Sequence, residues 1–335
     1  MLNQISHGDM ARLFLMNNAS GDAKSAVTQL AQELATGHKA RLADAVNGDF
    51  SPISSIEFTL SRNAAYETAA TEANTFAAVI QNAFDTVATL SENSAAAMLT
   101  AAQAVQPENI GTAAADAASK LAPTIAAFNT QFAGRSVFAG QAVDSPALAD
   151  AETIMAALTT ATTANTDAAS IIASLEAWFA PGGDFDTIAY IGSTDKLEPM
   201  EIGNNVTADL SITASDTRIR DTLKGLALAS LIADGALSPD SAARAELLSA
   251  AAETTLNANT SLTHLRAEIG TVQALMEDTD TFRTAESTAL EIARAELVEI
   301  DPYDTATQLQ AAQSQLEMLY SITARMQSLS LVNYL

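Results

Sequence analysis

The chain of 335 residues contains no cysteine. It therefore has no disulfide, no thiol nucleophile and no Cys-type zinc site. Aromatic residues are scarce, at 5 %, and there is a single tryptophan, Trp178. With 48 % of residues hydrophobic, alanine and leucine supply most of the apolar surface. Small side chains let helix backbones approach closely, so this composition suits long helices packed side by side. A deep enzyme pocket draws more on aromatic groups. Basic residues are few as well: 16 against 40 acidic ones, a formal net charge of −24. So acidic a surface repels phosphate and anionic lipid, which excludes nucleic acid as a partner and favours solubility. No stretch reaches the roughly 18 apolar residues of a membrane span, so no membrane insertion is expected.

A secretory signal is also missing. The start, Met1 to Ala11, contains Asp9 and no apolar core, and the run Leu13-Phe14-Leu15-Met16 is too short to serve as one. If the protein leaves the cell, the expectation is a route that reads no cleaved signal peptide.

The usual marks of chemistry are absent too. His7, His38 and His264 are scattered, with no ligand at metal-binding spacing. There is no Gly-x-Ser-x-Gly, no phosphate-cradling glycine loop and no His-Glu-x-x-His. Asp184 with Asp186, and Asp278 with Asp280, lack the further ligands of a calcium loop and read as solvated acids. Asn18, Asn205 and Asn259 each begin a glycosylation-type triplet, a motif short enough to arise by chance. Neither a catalytic residue, nor a cofactor, nor a metal is expected.

What is present is helical periodicity at both ends. Val27, Leu30 and Leu34 share one helical face, and Gly37 reads as the stop. Residues 37–52 form a loop by composition, and a helix is predicted from Ile53 to about Val105, ended by Pro107. Another is predicted from about Glu108 to Phe132. At the other end, Asp301 is a good N-cap and Pro302 suits the first helical position. Leu309, Ala312, Leu316, Leu319, Thr323 and Met326 then repeat with three/four spacing, a narrow coiled-coil-like seam. This helix would run about 30 residues, roughly 45 Å. Only Asp301, Asp304, Glu317 and Arg325 are charged from residue 301 onward, so the helix needs a partner.

The middle differs. A single helix is predicted from about Asp150 to Phe179, ended by Pro181-Gly182-Gly183. A period-two pattern then extends from Ile188 to Thr213, clearest where Val206, Ala208, Leu210 and Ile212 alternate with polar residues. Leu197, Met200 and Ile202 suggest a preceding strand, with Gly203-Asn204-Asn205 as the turn. A helix from Thr217 to Ala233 follows, and Ser238-Pro239 is expected to cap a long helix reaching about Ile300. The expected fold is mainly α: a long antiparallel helical bundle or coiled coil of the N- and C-terminal regions, with a small inserted α+β domain. The corresponding domains are 1–140, 141–215 and 216–335.

Four stretches resemble the flagellin and hook-associated-protein superfamily. Leu34-Ala35-Thr36-Gly37-His38-Lys39 resembles the loop phrase after that family's first helix, although the acidic turn that follows there reads Asn47-Gly48-Asp49-Phe50-Ser51-Pro52 here. Residues 129–140, Asn129 to Gly140, resemble the element closing its N-terminal helical region. Residues 265–273, Leu265 to Gln273, resemble the Arg-x-x-Leu-Gly-x-x-Gln element of its first C-terminal helix. The ending, Ser328 to Leu335, is similar to the close of the family's hook–filament junction branch.

The resemblance covers about residues 1–140 and 216–335. It implies a structural adaptor of the flagellum, located outside the cell and exported without a cleaved signal. It also implies self-association into a ring, contact with a neighbouring hook-associated protein and with flagellin, and an export chaperone. The residues expected to carry assembly are Leu13, Leu15, Val27, Leu30, Leu34, Leu309, Leu316, Leu319, Met326, Leu329, Leu331 and Leu335. The bulk filament subunit, flagellin, is the nearest alternative. A chemoreceptor-type signalling coiled coil is the second, opposed by the strand-rich insertion. An enzyme ranks last for want of any nucleophile–base pair.

Overall fold

The computed structural model describes the backbone of residues 7–332 and the side chains of residues 11–326 other than Leu13. Helix α1 spans His7–Thr36 and ends where Gly37 turns to φ +76°, its N–H reaching the Glu33 carbonyl at 2.8 Å. That is the left-handed stop that glycine adopts without strain. After the short α2 (Leu42–Ala45), Asp49 accepts from the Ser51 N–H at 2.9 Å and opens α3, Ser51–Ala104. Helix α4 (Pro107–Phe128) begins with its proline in the first turn. It stops short of the predicted Phe132. The Asn129 side chain leaves the helix to donate to Leu148 O (2.9 Å) and accept from Leu148 N (2.8 Å). Gln131–Phe132 instead forms β1, paired with β2 (Arg135–Ser136) across left-handed Ala133 and Gly134.

The predicted helix 150–179 is two helices, α5 (Ala151–Thr162) and α6 (Ala168–Phe179). Each has its own aspartate cap: Asp150 on Thr153 N at 2.7 Å, Asp167 on Ser170 N at 2.8 Å. Asn165 braces the break by donating to Ser170 O and Ser174 Oγ. A π-helical turn, Phe185–Ala189, takes up part of the predicted strand region. Within 188–213 the ladder pairing is β3 (Met200–Gly203) with β4 (Val206–Ala208), antiparallel around the predicted Asn204-Asn205 turn, and Tyr190 makes one isolated antiparallel bridge to Leu148. Asp209 ends β4 by folding its carboxylate back onto the Ser211 N–H at 3.0 Å. Helix α7 (Thr217–Ala233) agrees with the prediction. The long α8 (Ser241–Val298) is capped by Asp240, which accepts from Ala242 N and Ala243 N, rather than by Ser238-Pro239. Helix α9 spans Pro302–Val332.

The molecule is thus mainly α, with two small two-stranded sheets among the described residues. It divides into two compact units, one made of residues up to Asn63 and from Thr284 onward, the other of Ala64–Arg283. In the second unit α3 and α8 run antiparallel, linked by Ser91 to Asn259 at 2.5 Å and by Gln81 to the Arg266 carbonyl at 2.9 Å. Helix α4 lies on α7, and α6 contacts both α5 and α7. Phe84, Phe128 and Phe138 form one fully buried aromatic cluster, with ring centroids 5.6–6.5 Å apart. Trp178, Phe179 and Phe185 form another. Between α7 and α8, a Cβ on Gly225 would strike Thr255 Oγ1, so the absent side chain sets how closely those helices approach.

Candidate assembly surface

In the unit built from the two chain ends, α1 and α9 pack together. They join where α1 stops and α9 starts: Ile300 N bonds Gly37 O (3.2 Å) and Lys39 N bonds Val298 O (2.9 Å), so the pair is antiparallel. Lys39 Nζ also donates to the Glu296 and Leu297 carbonyls, giving the last turn of α8 a cationic cap. At the foot of α9, Asp301 accepts from Tyr303 N at 2.8 Å and from Asp304 N at 3.2 Å, the predicted cap.

The inward face of α9 is the seam read from the sequence. Thr305 is buried, and Leu309, Ala312, Leu316, Leu319, Thr323 and Met326 are half-buried in unbroken four/three spacing. On α1, Met16, Ser20, Ala23, Val27 and Leu30 form the inward row. Leu34 does not continue it. It stands 39 % exposed, and Glu33 takes the inward place at 8 %. The physical reason is a hydrogen-bond debt in the loop, because Glu33 Oε1 accepts from Ala40 N and from Gln29 Nε2, both at 3.0 Å. Leu15 points outward, 66 % exposed. Leu13, Leu329 and Leu331 lie on helical backbone, and Leu335 falls outside the described residues.

Burial of the seam leaves a second apolar set in solvent. Phe14, Leu15, Phe58, Ile292, Met318 and Ile322 of this unit are 42–66 % exposed, and Tyr303 is 85 % exposed. On α9, Met318 and Ile322 project away from the Leu316/Leu319 side, so the helix is apolar on both sides while α1 covers one. Exposed apolar side chains on an unpartnered helix side are the kind of surface that interaction sites use.

The stretches that carry the family resemblance serve as fastenings. Arg266 pairs with Asp85 (3.1 Å), and Gln81 joins Gln273, clamping α8 to α3. Beside them Leu265 and Ile269 are buried. Phe138 fills the first aromatic cluster, while Gly140 (φ +61°) leaves room for the Ser193 and Asp195 carbonyls. Arg218 bridges Asp216, the N-cap of α7, to Glu268 on α8. Burial pushes the Asp216 carboxyl up, but Arg218 outweighs it and holds the group below the usual carboxylate range. Sequence reasoning passed over Arg220, which is 5 % exposed. Its guanidinium donates to the Ser215, Phe179 and Ala180 carbonyls, pairs with Asp186 and lies over the Phe185 ring at 4.7 Å. Arg220 stands three and seven residues before the buried Leu223 and Ala227, and that core spacing was the available signal.

Among the described residues, no group of three or more His, Cys, Asp or Glu is placed to hold a metal ion. No helix among them is long and apolar enough to cross a membrane. Residues 253–335, from the fourth turn of α8 onward through α9, match the model of the bacterial flagellin C-terminal helical region. Over these residues the chain is similar to bacterial flagellin. Two solved structures share its fold. One, from Vibrio parahaemolyticus and described as a flagellar hook-associated protein, is 16 % identical, with a TM-score of 0.52 over 72 % of this chain and 94 % of the other. The other, FlgL from Bacillus cereus, is 12 % identical, with a TM-score of 0.51 over 72 % of this chain and all of the other. No curated protein matches the sequence.

Proposed function

We propose that the chain is a structural subunit of the bacterial flagellum, placed at the hook–filament junction and without catalytic activity. The observation that carries this reading is the two-sided α9. One side is packed on α1 within the chain, and the other carries Met318 and Ile322 into solvent, on residues 253–335 that match the flagellin C-terminal region. An unsatisfied helix face on each of many identical subunits is what joins them into a closed or helical array. In this reading the terminal helices are the assembly elements, including the proposed contact residues Leu13, Leu15, Leu34, Leu329, Leu331 and Leu335. Copies form a ring, with a hook-associated protein on one side and flagellin on the other. An export chaperone shields the terminal helices before the subunit leaves the cell without a cleaved signal.

Flagellin itself is the second reading, favoured by the family model matched over 253–335. Immunogold labelling of purified flagella with an antibody to residues 141–215 separates the two. Label confined to one band between hook and filament supports the junction role. Label along the filament makes the chain a flagellin, and no label on any flagellum overturns both.

A further inference from the structure

The chain has nine methionines and no cysteine, so sulfur oxidation in it is confined to thioethers. Five of the nine, Met1, Met10, Met16, Met318 and Met326, lie in the first 16 and the last 18 residues. Among the described side chains the structure separates the methionines by access. Met98 is 0 % exposed and Met276 4 %. Met155 and Met200 are half-buried, and so are Met16 and Met326 on the inward rows of α1 and α9. Met318 is 64 % exposed, and no other described methionine is exposed. Its position makes this sulfur matter. It stands with Ile322, one turn on and 42 % exposed, on the side of α9 that α1 leaves uncovered. An unbranched thioether is apolar and adaptable, which suits a face that another surface will cover. Its sulfoxide is polar and chiral, with an acceptor oxygen that is costly to bury without a donor.

We infer that Met318 is a modification site, through which oxidation to the sulfoxide turns off the outward face of α9. The inference rests on reading that face as an assembly surface. The reagent class is a two-electron peroxide oxidant, hydrogen peroxide being the simplest. The Met318 Sδ lone pair attacks one peroxide oxygen. The S–O bond forms as the O–O bond breaks, and the second oxygen leaves as water. Sulfur gives up two electrons and the peroxide takes them. Selectivity follows from access, because burial withholds the oxidant from Met98 and Met276 and slows it at Met16 and Met326. The fold is left intact, since Met318 stands outside the α1–α9 seam and its added oxygen projects into water. Once a neighbouring surface covers α9 the same sulfur is out of reach, so the site is open only in the free subunit. Enzymes of the methionine sulfoxide reductase class restore the thioether, which makes the change reversible.

Two measurements test this. First, the full chain is titrated with hydrogen peroxide, and sulfoxide is located by peptide mass spectrometry. Met318 is expected to oxidise about tenfold faster than Met98 and Met276, and ahead of Met16 and Met326. Hydrogen exchange of 302–326 should be unchanged when one oxygen has been added per chain. Oxidation of Met16 or Met326 as fast as Met318, or lost protection in 302–326, overturns the site. Second, cells making Met318→Gln or Met318→Leu at equal cellular levels are compared by the amount of chain in purified flagella. Leucine keeps the face apolar and cannot be oxidised, and glutamine carries a fixed polar group of similar length. Met318→Leu should match the parent, and Met318→Gln should fall about tenfold, the effect of one polar group buried without a partner. A peroxide pulse before assembly should lower the parent but not Met318→Leu. Parent levels of Met318→Gln, or equal loss of parent and Met318→Leu after the pulse, overturn the effect on assembly. The first measurement uses the unassembled chain, so its failure is distinct from a parent chain that immunogold finds on no flagellum.

Discussion

Replacing Leu316 and Leu319 with aspartate tests the α1–α9 seam directly. Both leucines are half-buried on the inward side of α9. Full burial of a leucine contributes about 1.5–3 kcal/mol, so each half-buried one contributes about 1 kcal/mol. Each aspartate then brings a carboxylate against the apolar row of α1, where incomplete hydration costs about 1–3 kcal/mol more. The sum, roughly 4–8 kcal/mol, is comparable to the whole stability of many small domains. The unit formed by the chain ends should open, while the Ala64–Arg283 unit, with its separate aromatic clusters, stays folded. Hydrogen exchange read by mass spectrometry reports both at once. Peptides within 14–36 and 302–326 should exchange like free chain, and peptides within 84–138 and 171–232 should match the parent. Met318→Asp, at a position 64 % exposed, should leave both patterns intact and act as the control. Parent-like protection of 302–326 in the double variant would refute the seam as the bond that holds α9. Assembly into flagella by that variant would refute the terminal helices as assembly elements.

Gly225→Ala should lower the melting temperature through the clash with Thr255, at about 1–3 kcal/mol for overpacking, and Thr255→Ala in the same chain should recover part of the loss. Arg220→Met should cost about 3–5 kcal/mol in a denaturant titration, because Asp186 loses its cationic partner and the Ser215 and Phe179 carbonyls lose their donor. Asp301→Ala should cost about 1 kcal/mol and raise exchange in the first turn of α9. For Asp216 the folded carboxyl titrates lower than the unfolded one, so its contribution is present above the unfolded pKa of 3.8 and is lost as pH falls below it. Asp216→Asn should therefore flatten part of the acid limb of a stability-versus-pH curve measured between pH 5 and pH 2, as a rough window.

Much of the fold could be read ahead of the structure where one physical rule acted alone. The α9 seam followed from three/four spacing, its start from Asp301 and Pro302, and the β3–β4 turn from two asparagines after a glycine. The reading failed where side chains bonded to distant backbone. Leu34 has the right spacing for the seam, yet Glu33 displaces it because Ala40 N needs an acceptor. Asn129 is a helix-compatible residue whose amide instead pairs with Leu148, cutting α4 short. Hydrophobic alternation from 188 to 213 is real, but a π-turn and the Asp209 turn break it.

The hydrogen bond from Lys39 to the Leu297 carbonyl joins residues 258 positions apart. Closing so long a loop carries an entropic cost that a few surface bonds do not offset by themselves. Inside Ala64–Arg283 long links such as Ser91 to Asn259, 168 positions apart, stand beside many nearer ones, such as the Arg220 cradle spanning 34–41 positions to Asp186, Ala180 and Phe179. With Ala64–Arg283 folded, the loop that α1 and α9 have to close is shorter and its entropic cost lower. The pairing of the two terminal helices thus draws part of its stability from a unit that neither helix belongs to.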